Sequence, residues 1–103
     1  MKITTYGSLG KALECAMVRD IDHVLIRHSY QKGVNIVPHV HEHMDEYAIA
    51  QRGHFSINSE DVSREFNLTG DSVTVIYYPA GREHGLKVLG DRLDYFVLRA
   101  PVI

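Results

Sequence analysis

Histidines stand at positions 39, 41 and 43 of the segment VPHVHEHMDEYAIAQRG, residues 37–53, and a glutamate follows at 46. Imidazole nitrogen and carboxylate oxygen together suit the borderline divalent metals: iron, manganese, nickel, copper, zinc and cobalt. On a β-strand, residues i and i+2 share a face. His39 and His41 are therefore expected to point the same way, with Val37 beside them and Val40 opposite. Glu46 opens the next strand, whose face continues through Ala48 and Ala50, while Tyr47 and Ile49 point away. Small side chains beside the carboxylate leave room for an ion and for something bound to it. A third imidazole would complete a set of three nitrogens and one oxygen, with positions left for water, dioxygen or substrate. His84, just past the turn PAG, is the best candidate for it. A helical alternative fails: a zincin helix requires H-E-x-x-H, and after His41 and Glu42 the second histidine is replaced by Asp45.

Short strands separated by turn residues must position these groups. The pattern predicts strands at 23–30 (HVLIRHSY), 35–41 (NIVPHVH), 46–51 (EYAIAQ), 54–58 (HFSIN), 64–68 (REFNL), 72–78 (SVTVIYY), 85–89 (GLKVL) and 92–99 (RLDYFVLR). Between them lie QKG, RG, TGD, PAG and GD. Such spacing argues for an all-β sandwich or barrel. Only GSLGKALECAMVRD, residues 7–20, can hold helix, and Gly10 weakens it. So many strands in a short chain leave edges exposed. A closed or nearly closed barrel, with an edge paired in a homodimer, would cover them.

The bulk numbers set limits. One domain spanning 1–103 is expected from 103 residues. Apolar residues make up 45% and charged residues 23%, and the net charge is -2 with a pI near 6.4. That balance gives no electrostatic reason to expect nucleic acid or an anionic membrane as partner. Cys15 is the one cysteine, so no internal disulfide can form, and it reads as a small buried hydrophobe. The N-terminus lacks the apolar stretch of a secretory signal, and VTVIYYPA is too short to span a bilayer. The expectation is a cytoplasmic protein.

Two motifs resemble those of the cupin superfamily. The first cupin motif is G-x5-H-x-H-x(3,4)-E-x6-G, and Gly33, His39, His41, Glu46 and Gly53 meet every spacing. The second is G-x5-P-x-G-x2-H-x3-N, and Pro79, Gly81 and His84 fall in register. The resemblance implies a double-stranded β-helix (jelly-roll-like) barrel with one divalent transition metal per chain, held by His39, His41, Glu46 and His84. Two departures stand out. Gly70 precedes Pro79 by nine positions where the motif has six, which predicts a longer strand or a bulge. Val88 stands where the motif has asparagine.

The same resemblance implies chemistry on small organic molecules: dioxygenase, decarboxylase, lyase or isomerase. The leading expectation is a metal-dependent enzyme, dioxygenase-like or a carbon-bond lyase or decarboxylase, acting on a small oxygen-rich substrate. The alternatives are a non-catalytic module that binds or senses a small ligand, and a sugar or sugar-phosphate isomerase. A lumen lined by arginine or lysine would favour the isomerase, and an apolar lumen the first reading. No general acid or base is evident beyond the ligands; Tyr77, Tyr78 and His54 are the remaining candidates. His43 is expected in solvent, with His23, His28 and Arg99 on the surface. Arg82 and Glu83 are expected on a solvated turn, where Arg82 could anchor a carboxylate. One of Tyr95 and Phe96 must face the lumen by alternation.

Overall fold

Seven strands and a helix make up the computed structural model, which describes residues 1–16, 24–60 and 62–101. Their order is β1 (Lys2–Tyr6), α1 (Leu9–Ala16), β2 (Val24–Gln31), β3 (Asn35–His39), β4 (Met44–Ser59), β5 (Val62–Tyr78), β6 (His84–Val88) and β7 (Arg92–Pro101). His23 and the side chain of Cys15 lie outside the described residues. No helix among the described residues is long and apolar enough to cross a membrane.

The strand content matches the pattern in the sequence, with two joins and one added strand, β1. The segments 46–51 and 54–58 are one strand, β4, and 64–68 and 72–78 are one strand, β5. Neither RG nor TGD is a turn. β4 and β5 run antiparallel along nearly their whole length. On its other side β4 changes partner: Met44–Arg52 pairs with β7, and Phe55–Asn58 pairs with β6. The change occurs at Gly53, whose φ is +145° and where a Cβ would lie 2.7 Å from Leu93 Cδ1. Glycine is needed there on both counts.

The three extra residues before Pro79 appear as an irregularity in β5. Ala50 pairs with Thr74 and Arg52 with Thr69, so β5 advances five positions while β4 advances two. Gly70, at φ +99°, begins the bulged stretch. β1, which the sequence pattern did not resolve, pairs with β5 from Tyr77 to Val73 and so covers that stretch in part.

The result is one sheet ordered β1-β5-β4-β6-β3, with β7 joined to β4 and β2. Its concave face buries Phe55, Ile57, Ile76, Val88, Leu93 and Val97, with Ala48, Ala50, Tyr78 and Tyr95 beside them. The alternate residues Ile49, Val75 and Leu98 face the other way and pack with Ala12 of α1. Helix α1 is preceded by Ser8, whose side-chain oxygen accepts from the Lys11 amide at 3.3 Å, as an N-cap residue does. Gly10 is exposed, so its lack of a side chain removes no packing.

Candidate metal centre

His39 ends the edge strand β3, and a bulge decides how it points. Ile36 pairs with Leu86 and His39 with His84, so β3 spends one residue more than β6 between them. Pro38 sits in this bulge, where an edge strand tolerates a missing amide. Ile36 and His39 therefore both face inward. Val37, expected beside the histidines, is instead 68% exposed.

His41 lies beyond the strand, so simple alternation does not place it. Its carbonyl accepts from the Gly81 amide at 2.8 Å, which ties its loop to the PAG turn. Gly81 has φ +82°, a conformation glycine adopts without strain. Asp45 Oδ1 accepts from the Ala80 amide at 2.9 Å, and Ser59 donates to the Glu83 carbonyl at 2.8 Å. These bonds hold the turn that delivers His84 to the start of β6. After His84 comes Gly85, wedged against β3: a Cβ there would lie 2.8 Å from the Ile36 carbonyl oxygen.

The three imidazoles meet. Each of His39, His41 and His84 offers one ring nitrogen, and these atoms lie within 4.8 Å of one another, so the three can hold a metal ion. His84 is buried and stacks on Tyr78, with centroids 4.2 Å apart. Two backbone contacts select the tautomers. The Nδ1–H of His39 donates to the Val37 carbonyl at 3.1 Å, and that of His84 to the Arg82 carbonyl at 3.2 Å. Each Nε2 then carries its lone pair inward, the arrangement seen when a second partner orients a metal-binding histidine.

Glu46 stands beside them. Its Oε2 lies 3.0 Å from His84 Nε2 and its Oε1 3.5 Å from His41 Nε2. Neither contact is aligned as a hydrogen bond. Both Nε2 atoms are buried and lack a hydrogen-bond partner among the described residues. A buried imidazole lone pair facing a carboxylate is repulsive unless a cation stands between them or the ring takes a proton. The donor set therefore fits a divalent ion.

Electrostatics keep the carboxylate ionised. Burial by itself would raise the pKa of Glu46, but positive charge in front of it, which His84 supplies when its ring is protonated, and then Arg99 outweigh burial and hold the group at about 2. Burial lowers the pKa of His41, Glu46 opposes this, and the charges of Arg99, His39 and His84 lower it further. A histidine shifted down stays neutral, and able to ligate, to lower pH than free imidazole. Glu46 remains charged throughout the imidazole range. Metal release on acidification should thus follow histidine protonation, with occupancy falling below about pH 6 and lost near pH 4. Metal content after dialysis at stepped pH measures this; full occupancy at the acid end would exclude imidazole ligation.

A cavity of about 180 Å³ opens beside the cluster, and its wall includes His39, Glu46, Tyr78 and His84. Two surface expectations are corrected here. His28 is half-buried on the cavity wall, where its Nδ1 meets the Tyr30 hydroxyl at 3.0 Å. Arg99, also on the wall, is directly opposite Glu46 in the β4–β7 register and donates from Nε to Oε1 at 3.0 Å. Alternation from Tyr95 through Val97 was the signal for Arg99 in the sequence. For His28 the signal was parity with Tyr30, and both residues face Tyr95.

The other candidates fall as expected or move away. His43 is exposed. His54 pairs with Glu65 at 3.2 Å, away from the cluster. Tyr78 faces the cavity, and Tyr77 packs on Tyr47 instead. Burial raises the pKa of both Tyr78 and Tyr95, so these phenols stay protonated. Tyr95, not Phe96, faces the lumen. Arg82 is exposed and donates to Glu60 at 2.8 Å. Val88 is buried in the core, so the motif's polar position serves packing here.

No family model matches the chain, and no curated protein matches it. Solved structures do. KdgF from Halomonas sp. superposes with a TM-score of 0.67 at 23% identity, over 80% of this chain and 71% of that one. A Thermotoga maritima protein described as a predicted oxalate decarboxylase superposes with a TM-score of 0.67 at 17% identity, over 97% and 81%. An RmlC-like cupin with a double-stranded β-helix fold from Methanocaldococcus jannaschii gives 0.63 at 17% identity, over 77% and 70%. The curled sheet, the change of partner along β4 and these superpositions agree: the chain has the double-stranded β-helix fold of the cupin superfamily.

Proposed function

We propose that this protein is a metal-dependent enzyme, a dioxygenase or a carbon-bond lyase or decarboxylase, acting on a small oxygen-rich organic substrate. Its metal ligands in this reading are His39, His41, His84 and Glu46. The observation that carries it is the pair of buried, unbonded Nε2 atoms of His41 and His84, facing an ionised carboxylate at the wall of a cavity. A divalent ion there supplies Lewis acidity toward a carbonyl or carboxylate oxygen.

The chain's own residues shape what can enter. Ile36, Leu86 and Val97 make much of the wall apolar and limit water, while Ala48 leaves room next to Glu46. Tyr78 and Tyr95, held protonated, serve as hydrogen-bond donors rather than bases. Arg99 is the one guanidinium on the described wall, which has no lysine, so the lining suits the isomerase reading less well. His39 is only half-buried, which supports access to the cluster and disfavours a sealed structural ion. The neighbour described as a predicted oxalate decarboxylase adds support to the lyase branch.

Elemental analysis of untagged protein is expected to find about one transition-metal equivalent per chain. The metal-loaded protein is then offered hydroxy acids and dicarbonyls while oxygen uptake and carbon dioxide release are followed. Oxygen uptake identifies the dioxygenase branch, and carbon dioxide release without it the decarboxylase branch. Neither signal across the panel, and no cleavage product by mass spectrometry, with metal bound, would replace the enzyme by the ligand-binding module.

A further inference from the structure

Arg99 does more in this fold than neutralise Glu46. A guanidinium carries five N–H donors in a rigid fork. Its Nε is used on Glu46, and the group makes no other hydrogen bond to the described residues. The Nη amino groups belong to a side chain that is 28% exposed and lines the cavity. Glu46 is the one carboxylate on the described wall. With a divalent ion on the histidines, Glu46 offsets only part of the positive charge, and Arg99 adds to the excess. A neutral occupant would leave a partly desolvated guanidinium without a full set of partners. Arg82, which the sequence offered for this task, is exposed and paired with Glu60.

We propose that Arg99 anchors the substrate and that the substrate is a small carboxylate, its oxygens forked on the Nη groups of Arg99 beside the metal ligands. This rests on the metal reading above. The planar fork matches a carboxylate in two parallel hydrogen bonds, which a lysine cannot reproduce.

The test is calorimetric binding of glycolate, lactate, malonate and 2-oxoglutarate to zinc-loaded protein, each beside its neutral amide. At least one acid is expected to bind about tenfold or more tighter than its amide. Arg99→Gln should remove most of that preference, and Arg99→Lys should keep part of it. Arg92→Gln, which alters an exposed pair with Asp94, should leave it unchanged. Zinc affinity is measured on the same samples. Normal zinc binding with no acid preference in the wild type, or an undiminished preference in Arg99→Gln, overturns the anchor and leaves the metal reading standing. Failure of the wild type to bind zinc overturns both. If Arg99→Gln does not fold, the wild-type preference and its decline in Arg99→Lys decide the matter.

Discussion

Replacing His84 with alanine is expected to lower the affinity for a divalent transition ion by more than about 100-fold. Loss of a group that merely orients a ligand typically costs roughly 10–100-fold, and His84 supplies a donor atom itself. The imidazole comes from the start of β6 and reaches the cluster only because the PAG turn is fixed by Asp45, Ser59 and the His41 carbonyl. Among the remaining described histidines, His43 is exposed, His54 pairs with Glu65, and His28 is held against Tyr30 and Tyr95 on the cavity wall. Competition with a chromophoric chelator for zinc near neutral pH measures the effect, with His43→Ala as the unaffected control. His41→Ala should behave like His84→Ala. Full zinc retention by both would mean that the site is misassigned. Because His84 also stacks on Tyr78, a thermal melt with chelator present should accompany the titration, to separate lost binding from lost folding.

The largest loss of stability is expected at Phe55. Its side chain is 1% exposed and stacks on Phe66 of β5, with ring centroids 5.3 Å apart. It also pairs in register with Val88 of β6. Phe55 thus sits just past Gly53, where β4 has exchanged β7 for β6. Truncating a buried phenylalanine to alanine costs about 3–5 kcal/mol, a large share of the roughly 5–15 kcal/mol that holds a domain folded. The midpoint of thermal unfolding should fall by more than about 10 °C. The comparison requires a chelator, since bound metal would add stability by mass action. A drop of a degree or two would show that the core does not close around this ring.

Much of the site was legible because its donors lie close together in the chain and in recognisable order. His39, His41 and Glu46 fall within eight residues, and His84 follows a turn whose glycine adopts positive φ. The strand content was legible from branched and aromatic runs, and the extra residues after Gly70 announced their bulge. The glycines at 53 and 70 misled as turn signals. Each permits an unusual backbone angle, and whether that angle ends a strand or bends it depends on what lies beside it. Alternation likewise placed Ala48 and Ala50 correctly but not Val37, because the bulge at Pro38 reverses the parity of β3.

The sequence by itself determined the donor types, their spacing and the all-β character, since these follow from residue chemistry and local periodicity. Only the tertiary structure decided which side chains answer them across the sheet. Arg99 meets Glu46, 53 residues away, through the register of β4 with β7. His28 and Tyr30 reach the cavity through the register of β2 with β7. Register is set jointly by bulges and by strands distant in the chain, and no local pattern encodes that sum.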